Sequence, residues 1–307
     1  MRATHCISLG VVFGAAISMG CSATVSASPE GADAETMQAA MAIVTVQRTV
    51  TAGGPSESAG VARADAVGSF VQMRSGLVDD QALHMVRAAV DLPAKGACTA
   101  LAQTWSVEAT PARPVYLADV GAVSLEIKGL DASGGSAKTS LAARQQPDVA
   151  DLVSGVRYIA RPADPASLPA GGKYVLHVAG TSAFDPFEVT ATAPADLSDV
   201  RIAGQDAATS IALSAAAEAP VEITWEPGSA DDAVFVDVKS RDPNVPVLRC
   251  LFPDGSGRAT IAAWSFGGID DGTLNLHRLH RETFRARGIE SGEIRFDFAR
   301  VISFTRR

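Results

Sequence analysis

The chain alternates between apolar and polar residues with a period of two over most of its length beyond residue 40. Val123–Lys128 (VSLEIK) alternates without interruption, and Ile294–Phe298 puts apolar side chains on one side and charged ones on the other. Successive side chains of a β-strand point to opposite faces of a sheet, so this pattern predicts half-buried strands. Strands are predicted over Ile43–Val50, Ser69–Met73, Val115–Ala118, Val123–Lys128, Val156–Ile159, Tyr174–Val178, Phe187–Ala191, Val221–Trp225, Val234–Val238, Val247–Phe252, Arg258–Trp264, Leu274–Leu279 and Ile294–Phe304.

Turn residues such as Pro227-Gly228 separate these runs. One stretch, Asp79–Val90, instead spaces its apolar residues as a helix does, and it is expected to form a short helix or a structured loop. Many short strands with few helices predict an all-β fold of two antiparallel β-sandwich (Ig-like) domains. The expected domains are a β-rich N-terminal domain over residues 41–195 and a C-terminal β-sandwich over residues 196–307.

The first residues follow a different pattern, that of a secretory signal. An apolar run from Ile7 to Ile17 follows Arg2, and Gly20 provides the small residue that lipoprotein signal peptidase requires before Cys21. The run is well short of the ~20 residues that span a bilayer. Residues 1–21 are therefore predicted to be a signal peptide with a lipobox, with Cys21 lipidated and holding the protein to the lipid bilayer. Residues 22–40, which have few large apolar side chains, are predicted to be a flexible tether.

A second processing site competes with the lipobox. The third position before the cysteine is Ser18, where lipoboxes most often carry leucine, and Val25-Ser26-Ala27 matches ordinary signal peptidase. Cleavage after Ala27 would release a soluble periplasmic or secreted chain. Ser22 is not the aspartate that retains lipoproteins at the inner membrane, so a lipidated chain is expected at the outer membrane or cell surface.

Charge and composition narrow the class of protein. The content of apolar residues is 47 %, too high for a wholly disordered chain, and the net charge is −8. Residues 278–307 carry eight arginines against four acids, but several of these arginines alternate with apolar residues as the solvated face of a strand would. An acidic exported protein is not expected to bind nucleic acid.

Cys98 and Cys250 are the two cysteines beyond the signal. An oxidising compartment would allow a disulfide between them, worth about 5 kcal/mol by the chain-entropy model for a loop of about 150 residues. Cys250 is also in phase with Leu248 and Phe252, which would make it a buried free thiol on a strand. Both alternatives remain open from the sequence.

The candidate chemistry is weak. His277 and His280 are three residues apart on a predicted strand, so their rings should point to opposite faces and cannot share a metal; edge-strand surface histidines are expected. The paired acids at 79–80, 231–232 and 270–271 are explained as turn and cap residues. Gly-x-Ser-x-Gly and Ser-x-x-Lys motifs are absent. No catalytic, cofactor-binding or metal-binding residue is predicted, and a hydrolase is the least favoured class.

The tryptophans could indicate a glycan-binding surface. Trp225 and Trp264 fall in strand patterns and are expected to fill the second core. Trp105 lies in a less regular stretch and is a candidate surface residue; a cluster of it with Tyr116 or Tyr158 would favour glycan binding.

Four segments are similar to a known group of proteins: Val115–Leu125 (VYLADVGAVSL), Asp148–Tyr158 (DVADLVSGVRY), Leu168–Tyr174 (LPAGGKY) and Phe184–Val189 (FDPFEV). On these segments the chain resembles the uncharacterised predicted secreted lipoproteins that myxobacteria encode. That family has no assigned activity, so the resemblance implies export and a β-rich fold and provides no functional residues. The sequence favours a non-enzymatic cell-envelope lipoprotein that acts as an interaction or structural module on envelope proteins or glycans. The alternative is a secreted or periplasmic glycan- or polymer-binding protein.

Overall fold

A computed structural model describes residues 40–51, 60–73, 78–101, 114–129, 136–149, 152–207, 210–214 and 219–307, except for the side chains of 60–62 and 147–149. Cys21, the signal, residues 22–39 of the predicted tether and Trp105 lie outside these residues, while Ala40, predicted to end the tether, is the first residue of β1. The helix is α1 (Asp80–Met85), and short 3-10 turns occur at Pro165–Ser167, Asp254–Ser256 and Ala263–Phe266. The strands are β1 (Ala40–Thr51), β2 (Gly60–Met73), β3 (Cys98–Ala100), β4 (Val115–Leu117), β5 (Val123–Lys128), β6 (Ser136–Val149), β7 (Val153–Ala160), β8 (Lys173–Val178), β9 (Phe187–Thr192), β10 (Arg201–Ile202), β11 (Gln205–Asp206), β12 (Ile211–Leu213), β13 (Val221–Thr224), β14 (Ala233–Ser240), β15 (Leu248–Pro253), β16 (Arg258–Ile261), β17 (Asp271–Ala286) and β18 (Ile289–Arg306).

The predicted all-β fold is confirmed, and the period-two segments form strands because one face of each is apolar. In β18, Ile294, Phe296 and Phe298 are fully buried on one face. The observed strands differ from the predicted ones at two places. The segment around Lys138, where no strand was predicted, belongs to β6 from Ser136 onward, because β5 and β7 on either side provide its backbone partners. The strand predicted to reach Trp264 ends at Ile261.

The strands build two sheets. A fourteen-stranded sheet runs in the order β3-β15-β14-β17-β18-β1-β2-β4-β7-β6-β5-β8-β9, with β12 added beside β18. A smaller sheet has the order β11-β10-β13-β16. Most neighbours are antiparallel, but β1 and β12 both run parallel to β18, and β4 runs parallel to β7. The first described strand thus pairs with the last, a contact that no local pattern in the sequence encodes.

Two large hydrophobic clusters of buried side chains form the main cores among the described residues. The first is formed by β1, β2, β5 to β9 and the first half of β18, and it includes Phe70, Tyr174 and Phe296. The second is formed by the strands after residue 196 and includes Trp225 and Phe304. The long hairpin β17–β18 contributes to both, since Ile294–Phe298 packs in the first core and Ile302–Phe304 in the second. The division into independent domains at residue 195 stays a prediction.

The outer face of the larger sheet carries α1. Asp79 caps α1 by accepting a hydrogen bond from the Ala82 amide at 2.9 Å, and the helix ends at Met85, with Val86 as its C-cap. Of the two alternatives predicted for Asp79–Val90, a short helix or a structured loop, the structure has a short helix at its start. The segment that follows, residues 86–97, is called the strap here; it crosses the outer face and ends at β3. Ala82, Val86 and Ala88 pack on Ile43 and its neighbours beneath them.

Candidate functional site: the arginine junction and its acidic cleft

The chain passes from the first core to the second through residues 194–198, the linker, which lies against the inner face of β1, β17 and β18. Arg48 of β1 and Arg278 of β17 both pair in register with Phe298 of β18, so the two arginines flank this ring across three strands. Arg300 lies two residues further along β18. These three arginines lie at the boundary between the first and the second core. Each of them donates a hydrogen bond to the linker.

Arg278 is the most buried of the three. Its Nε lies 2.8 Å from Oδ2 of Asp254, and its Nη2 donates to Asp254 Oδ1 at 3.0 Å. Its other hydrogen bonds go to the carbonyls of Ala195, Asp196 and Glu226 at 3.2, 3.3 and 2.6 Å. Arg278 is 3 % exposed and Asp254 0 %, so the pair is held almost without water. A buried charge pair of this kind is strongly destabilising to break, because it leaves a charge without compensation.

Two further contacts fix this ion pair. The indole Nε1 of Trp225 donates to Asp254 Oδ1 at 2.8 Å, which places the second-core tryptophan under the carboxylate. Gly228 lies so close that a Cβ there would be 2.2 Å from Asp254 Oδ2 and 3.1 Å from the Arg278 guanidinium carbon. Glycine is thus required at position 228 by packing.

Arg48 joins the linker to the first core. Its Nη2 donates to Asp196 Oδ2 at 3.0 Å, and its Nη1 donates to the carbonyl of Leu168 at 2.6 Å. The guanidinium also lies over the Phe298 ring at 5.5 Å. Arg300 donates to the Leu197 carbonyl at 3.3 Å. Because the three arginines donate to successive linker residues, the linker is held against β1 and the β17–β18 hairpin.

A cleft of about 310 Å³ opens beside the linker. Glu226, Asp232 and Glu282 line it together with His280, while the Arg278 charge is already paired with Asp254. His280 Nδ1 lies 2.5 Å from Asp232 Oδ1, and its Nε2 lies 3.5 Å from Glu282 Oε1. The hydrogen bond to Asp232 raises the pKa of His280, against the lowering effect of burial. The cleft is therefore acidic, and it holds its histidine in the protonated form to higher pH.

The Ser198 hydroxyl in the cleft donates to Glu226 rather than to His280, so the histidine is not placed to activate this serine. Across the residues that the structure describes, no three or more His, Cys, Asp or Glu side chains are placed to hold a metal ion. The junction pairs the buried charges of Arg278 and Asp254 and fixes the linker between the two cores.

The predicted site residues are distributed as follows. His277 and His280 point to opposite faces: His277 donates toward Asp297, 2.7 Å away, and stacks on Phe235 at a centroid distance of 4.2 Å. Their expected location on an edge strand was wrong, because β17 lies between β14 and β18. The prediction of solvated arginines was also wrong for Arg278 and Arg295, which are 3 % and 5 % exposed.

Cys98 and Cys250 are joined by a disulfide, in register on β3 and β15. Of the two alternatives for these cysteines, the structure has the bridge. Leu248 and Phe252 flank Cys250 as the strand pattern indicated, so the sulfur is buried as well as bonded. The bridge ties the end of the strap to the second core.

The tryptophan prediction was half right. Trp225 fills the second core, but Trp264 is 70 % exposed on a 3-10 turn, whereas Phe266 from the same turn is buried. Trp264 has the parity of the exposed Arg258 and Thr260 of β16, not that of the buried Ala259 and Ile261, and the 3-10 turn then directs Phe266 into the core. Tyr158 is buried, so it cannot join a surface cluster, while Tyr116 is 45 % exposed.

The sequence reasoning missed the arginine junction. One feature of the sequence could have indicated it: Arg48 follows Val44 and Val46 at the spacing of two that places all three side chains on the buried face of β1. The paired acids were only partly turn residues: Asp79 caps α1, but Asp232 is the partner of His280.

None of the helices in the described ranges has the length and apolar character needed to cross a membrane.

No protein-family model matches the chain, and no curated protein matches it. Among solved structures, a two-domain fibronectin type-III segment of chicken tenascin matches at 12 % identity, covering 81 % of this chain and 97 % of that one, with a TM-score of 0.18. The FN1–FN3 domains of chicken CNTN1 match at 9 % identity over 85 % and 64 % of the two chains, with a TM-score of 0.20. The Fcho1 Mu homology domain of Danio rerio, with a bound Eps15 peptide, matches at 9 % identity over 89 % and 99 %, with a TM-score of 0.22. TM-scores this low carry no argument, so the β-sandwich architecture rests on the sheets of this chain.

Proposed function

We propose that the protein is a non-enzymatic cell-envelope lipoprotein that acts as an interaction or structural module. The observation that carries this proposal is the arginine junction, in which the linker between two β-cores is fixed by Arg48, Arg278 and Arg300. A linker held in this way keeps the distance and orientation between the outer surfaces of the two cores constant. Constant spacing is what a scaffold or adaptor requires, while an enzyme with a cleft between domains more often needs a hinge.

The proposed anchor is a lipid on Cys21, which would place the β-cores at the outer membrane or cell surface, beyond the tether of residues 22–40. The resemblance to myxobacterial predicted lipoproteins supports this placement. Growth of expressing cells with labelled palmitate tests it: wild-type protein should incorporate label and a Cys21→Ala variant should not. Label retained by Cys21→Ala would remove the lipid anchor from the proposal. An unlabelled wild type with an N-terminus at Ser28 would assign cleavage after Ala27.

The proposed role is tested by crosslinking in intact cells followed by identification of the crosslinked partners. An abundant envelope protein crosslinked to the outer surface of either core supports the module. A matched variant, Asp254→Asn, should weaken the junction and reduce the yield of crosslinks that span both cores more than crosslinks to one. Recovery of polysaccharide alone would overturn the leading proposal.

A second candidate function, binding of a glycan or other polymer, is favoured by one observation. Trp264 is 70 % exposed, and exposed aromatic rings are the usual stacking surface for sugars. Binding of envelope polysaccharide to immobilised protein should then fall in a Trp264→Ala variant and persist in a Tyr116→Ala variant. Equal binding by Trp264→Ala and the wild type would exclude this surface.

A further inference from the structure

The outer face of the larger sheet, opposite the junction, contains a small cavity beneath the strap. Its volume is about 170 Å³, and β1, β2, β7 and β18 form its floor while residues 87–90 of the strap form its roof. Three arginines line it, Arg87, Arg157 and Arg295, against one acid, Asp297. The lining therefore carries a formal charge of +3 − 1 = +2.

The pairing of these groups shows which charges are available. Arg295 is committed, since its Nε donates to Glu293 at 2.7 Å and its Nη1 to the Ala88 carbonyl at 2.7 Å. Asp297 accepts from His277 at 2.7 Å. Within the described ranges, neither Arg87 nor Arg157 has a carboxylate at ion-pair distance or a side-chain hydrogen bond. The positive charge of this cavity is thus concentrated on these two residues.

Arg157 is in an unfavourable environment as it stands. It is half-buried, and its Nε is a buried donor with no partner. Desolvation, and then the neighbouring charge of Arg87, lower the pKa of Arg157. A buried donor without a partner costs about 1–3 kcal/mol, so a protein retains one where it has another use.

The strap holds Arg87 over the cavity. Arg87 has a φ of +54°, in the left-handed region that follows a helix end and is usually occupied by glycine. Its amide donates to the His84 carbonyl at 2.9 Å, and Ala88 beside it is held by Arg295. The position is therefore fixed from both sides despite its backbone strain.

We propose that this cavity, the strap pocket, binds a small oxyanion group, a carboxylate or a phosphate, between Arg87 and Arg157. A guanidinium presents planar paired donors that match the oxygens of both groups. An oxyanion there would satisfy the buried Arg157 Nε and separate two like charges. Ser69 and Thr45 line the floor and provide neutral donors. The volume accommodates one such group, with the remainder of a larger ligand outside. This proposal stands independently of the proposed function.

Titration calorimetry of the purified full chain tests the site, with inorganic phosphate and acetate in separate experiments at an ionic strength held constant by chloride. We expect saturable binding of at least one of them, and Arg157→Gln and Arg87→Gln should each weaken it by about tenfold or more. Arg157→Lys should weaken it less than Arg157→Gln, because charge is kept and the planar fork is lost. Arg258→Gln, an exposed arginine on β16, is the matched control and should change affinity by less than about twofold.

The experiment with phosphate tests for a phosphate site and the experiment with acetate for a carboxylate site. Binding of either anion supports the proposal. Arg87 is exposed, so its variant should fold even where Arg157→Gln does not, and the thermal unfolding midpoint in the presence of the anion provides a second measurement. Phosphate and acetate acting no more strongly than the same concentration of chloride would overturn the proposal. So would wild-type affinity in a folded Arg87→Gln variant.

Discussion

Two pairs of arginines on opposite faces of one sheet differ in how their charges are paired. On the inner face, Arg48 and Arg278 direct their donors to the carboxylates of Asp196 and Asp254 and to backbone carbonyls. On the outer face, Arg87 and Arg157 have no such carboxylate within the described part of the chain. Paired, buried arginine fixes a structure, whereas unpaired, partly desolvated arginine leaves donors available to a ligand. The difference separates the residues that hold the molecule together from those we propose to bind.

The largest effect is expected from breaking the inner pair. Asp254→Asn leaves Arg278 buried with its charge uncompensated, which should lower the free energy of unfolding by about 3–5 kcal/mol. Urea denaturation measures this, and Asp271→Asn is the control: its partner Arg241 is 83 % exposed, so that change should cost about 1 kcal/mol or less. The double variant Asp254→Leu/Arg278→Met should recover part of the loss. Equal costs for the buried and exposed aspartates would contradict this account of the junction.

Removal of the disulfide is expected to have the next largest effect. The Cys98→Ala/Cys250→Ala variant should lose about 2–5 kcal/mol of stability. Because the bridge ties the strap to the second core, hydrogen exchange should accelerate in residues 86–97 more than in the linker. Faster exchange in the linker than in the strap would show that the bridge acts elsewhere.

Gly228 tests the packing around the inner pair. Gly228→Ala places a Cβ 2.2 Å from Asp254 Oδ2, so one of the two must move, at a cost of about 1–3 kcal/mol. Gly255→Ala is the matched control, since its Cβ would meet atoms no closer than 3.4 Å. We expect the thermal unfolding midpoint to fall clearly for the first variant and little for the second; the reverse order would be incompatible with the contacts described.

The pH dependence of the junction follows from His280. Because its pKa is raised in the folded protein, His280 contributes stability that is fully present below its unfolded pKa of about 6.5. That stability is lost as the pH rises through the folded pKa. His280→Gln should therefore destabilise the protein more at about pH 5.5 than at about pH 9, by up to about 1 kcal/mol. A constant difference between variant and wild type across this range would rule out the charge effect.

The smallest effect is expected on the outer face. Arg87→Gln removes one of two neighbouring like charges, so the stability without added oxyanion should be unchanged or rise by a few tenths of a kcal/mol. The rise should be greatest at low salt, where screening is weakest. Urea denaturation at two ionic strengths measures it. A loss above about 1 kcal/mol would mean that Arg87 is a structural residue like Arg278.

The alternation of apolar and polar residues was sufficient to predict β-structure, because it records which face of each strand is buried. It located β5 and the centre of β18 correctly. It failed at β6, where both faces are polar enough that only the neighbouring strands show it to be a strand. The expectation that Trp264 fills the core also failed, because the strand ends at Ile261 and Trp264 has the parity of the exposed Arg258 and Thr260.

The alternation of apolar and polar residues could not predict the arginine junction or the strap pocket. An arginine at the spacing of neighbouring apolar residues can lie on a solvated strand face or in a buried ion pair. Which of the two forms depends on a partner that is distant in sequence. Asp254 lies 24 residues from Arg278, and Arg48 lies 148 residues from Asp196. Distances of this kind are set by the topology of the sheets.

The sequence by itself determined the all-β class and the opposite orientations of His277 and His280, because each depends on residues a few positions apart; for Asp79–Val90 it left a short helix and a structured loop as alternatives. The tertiary structure decided which arginines are buried, which cysteines meet and where two unpaired guanidinium groups share a cavity. Electrostatic interactions and burial act between groups close in space, and the parallel pairing of the first and last described strands brings together residues that no local pattern connects.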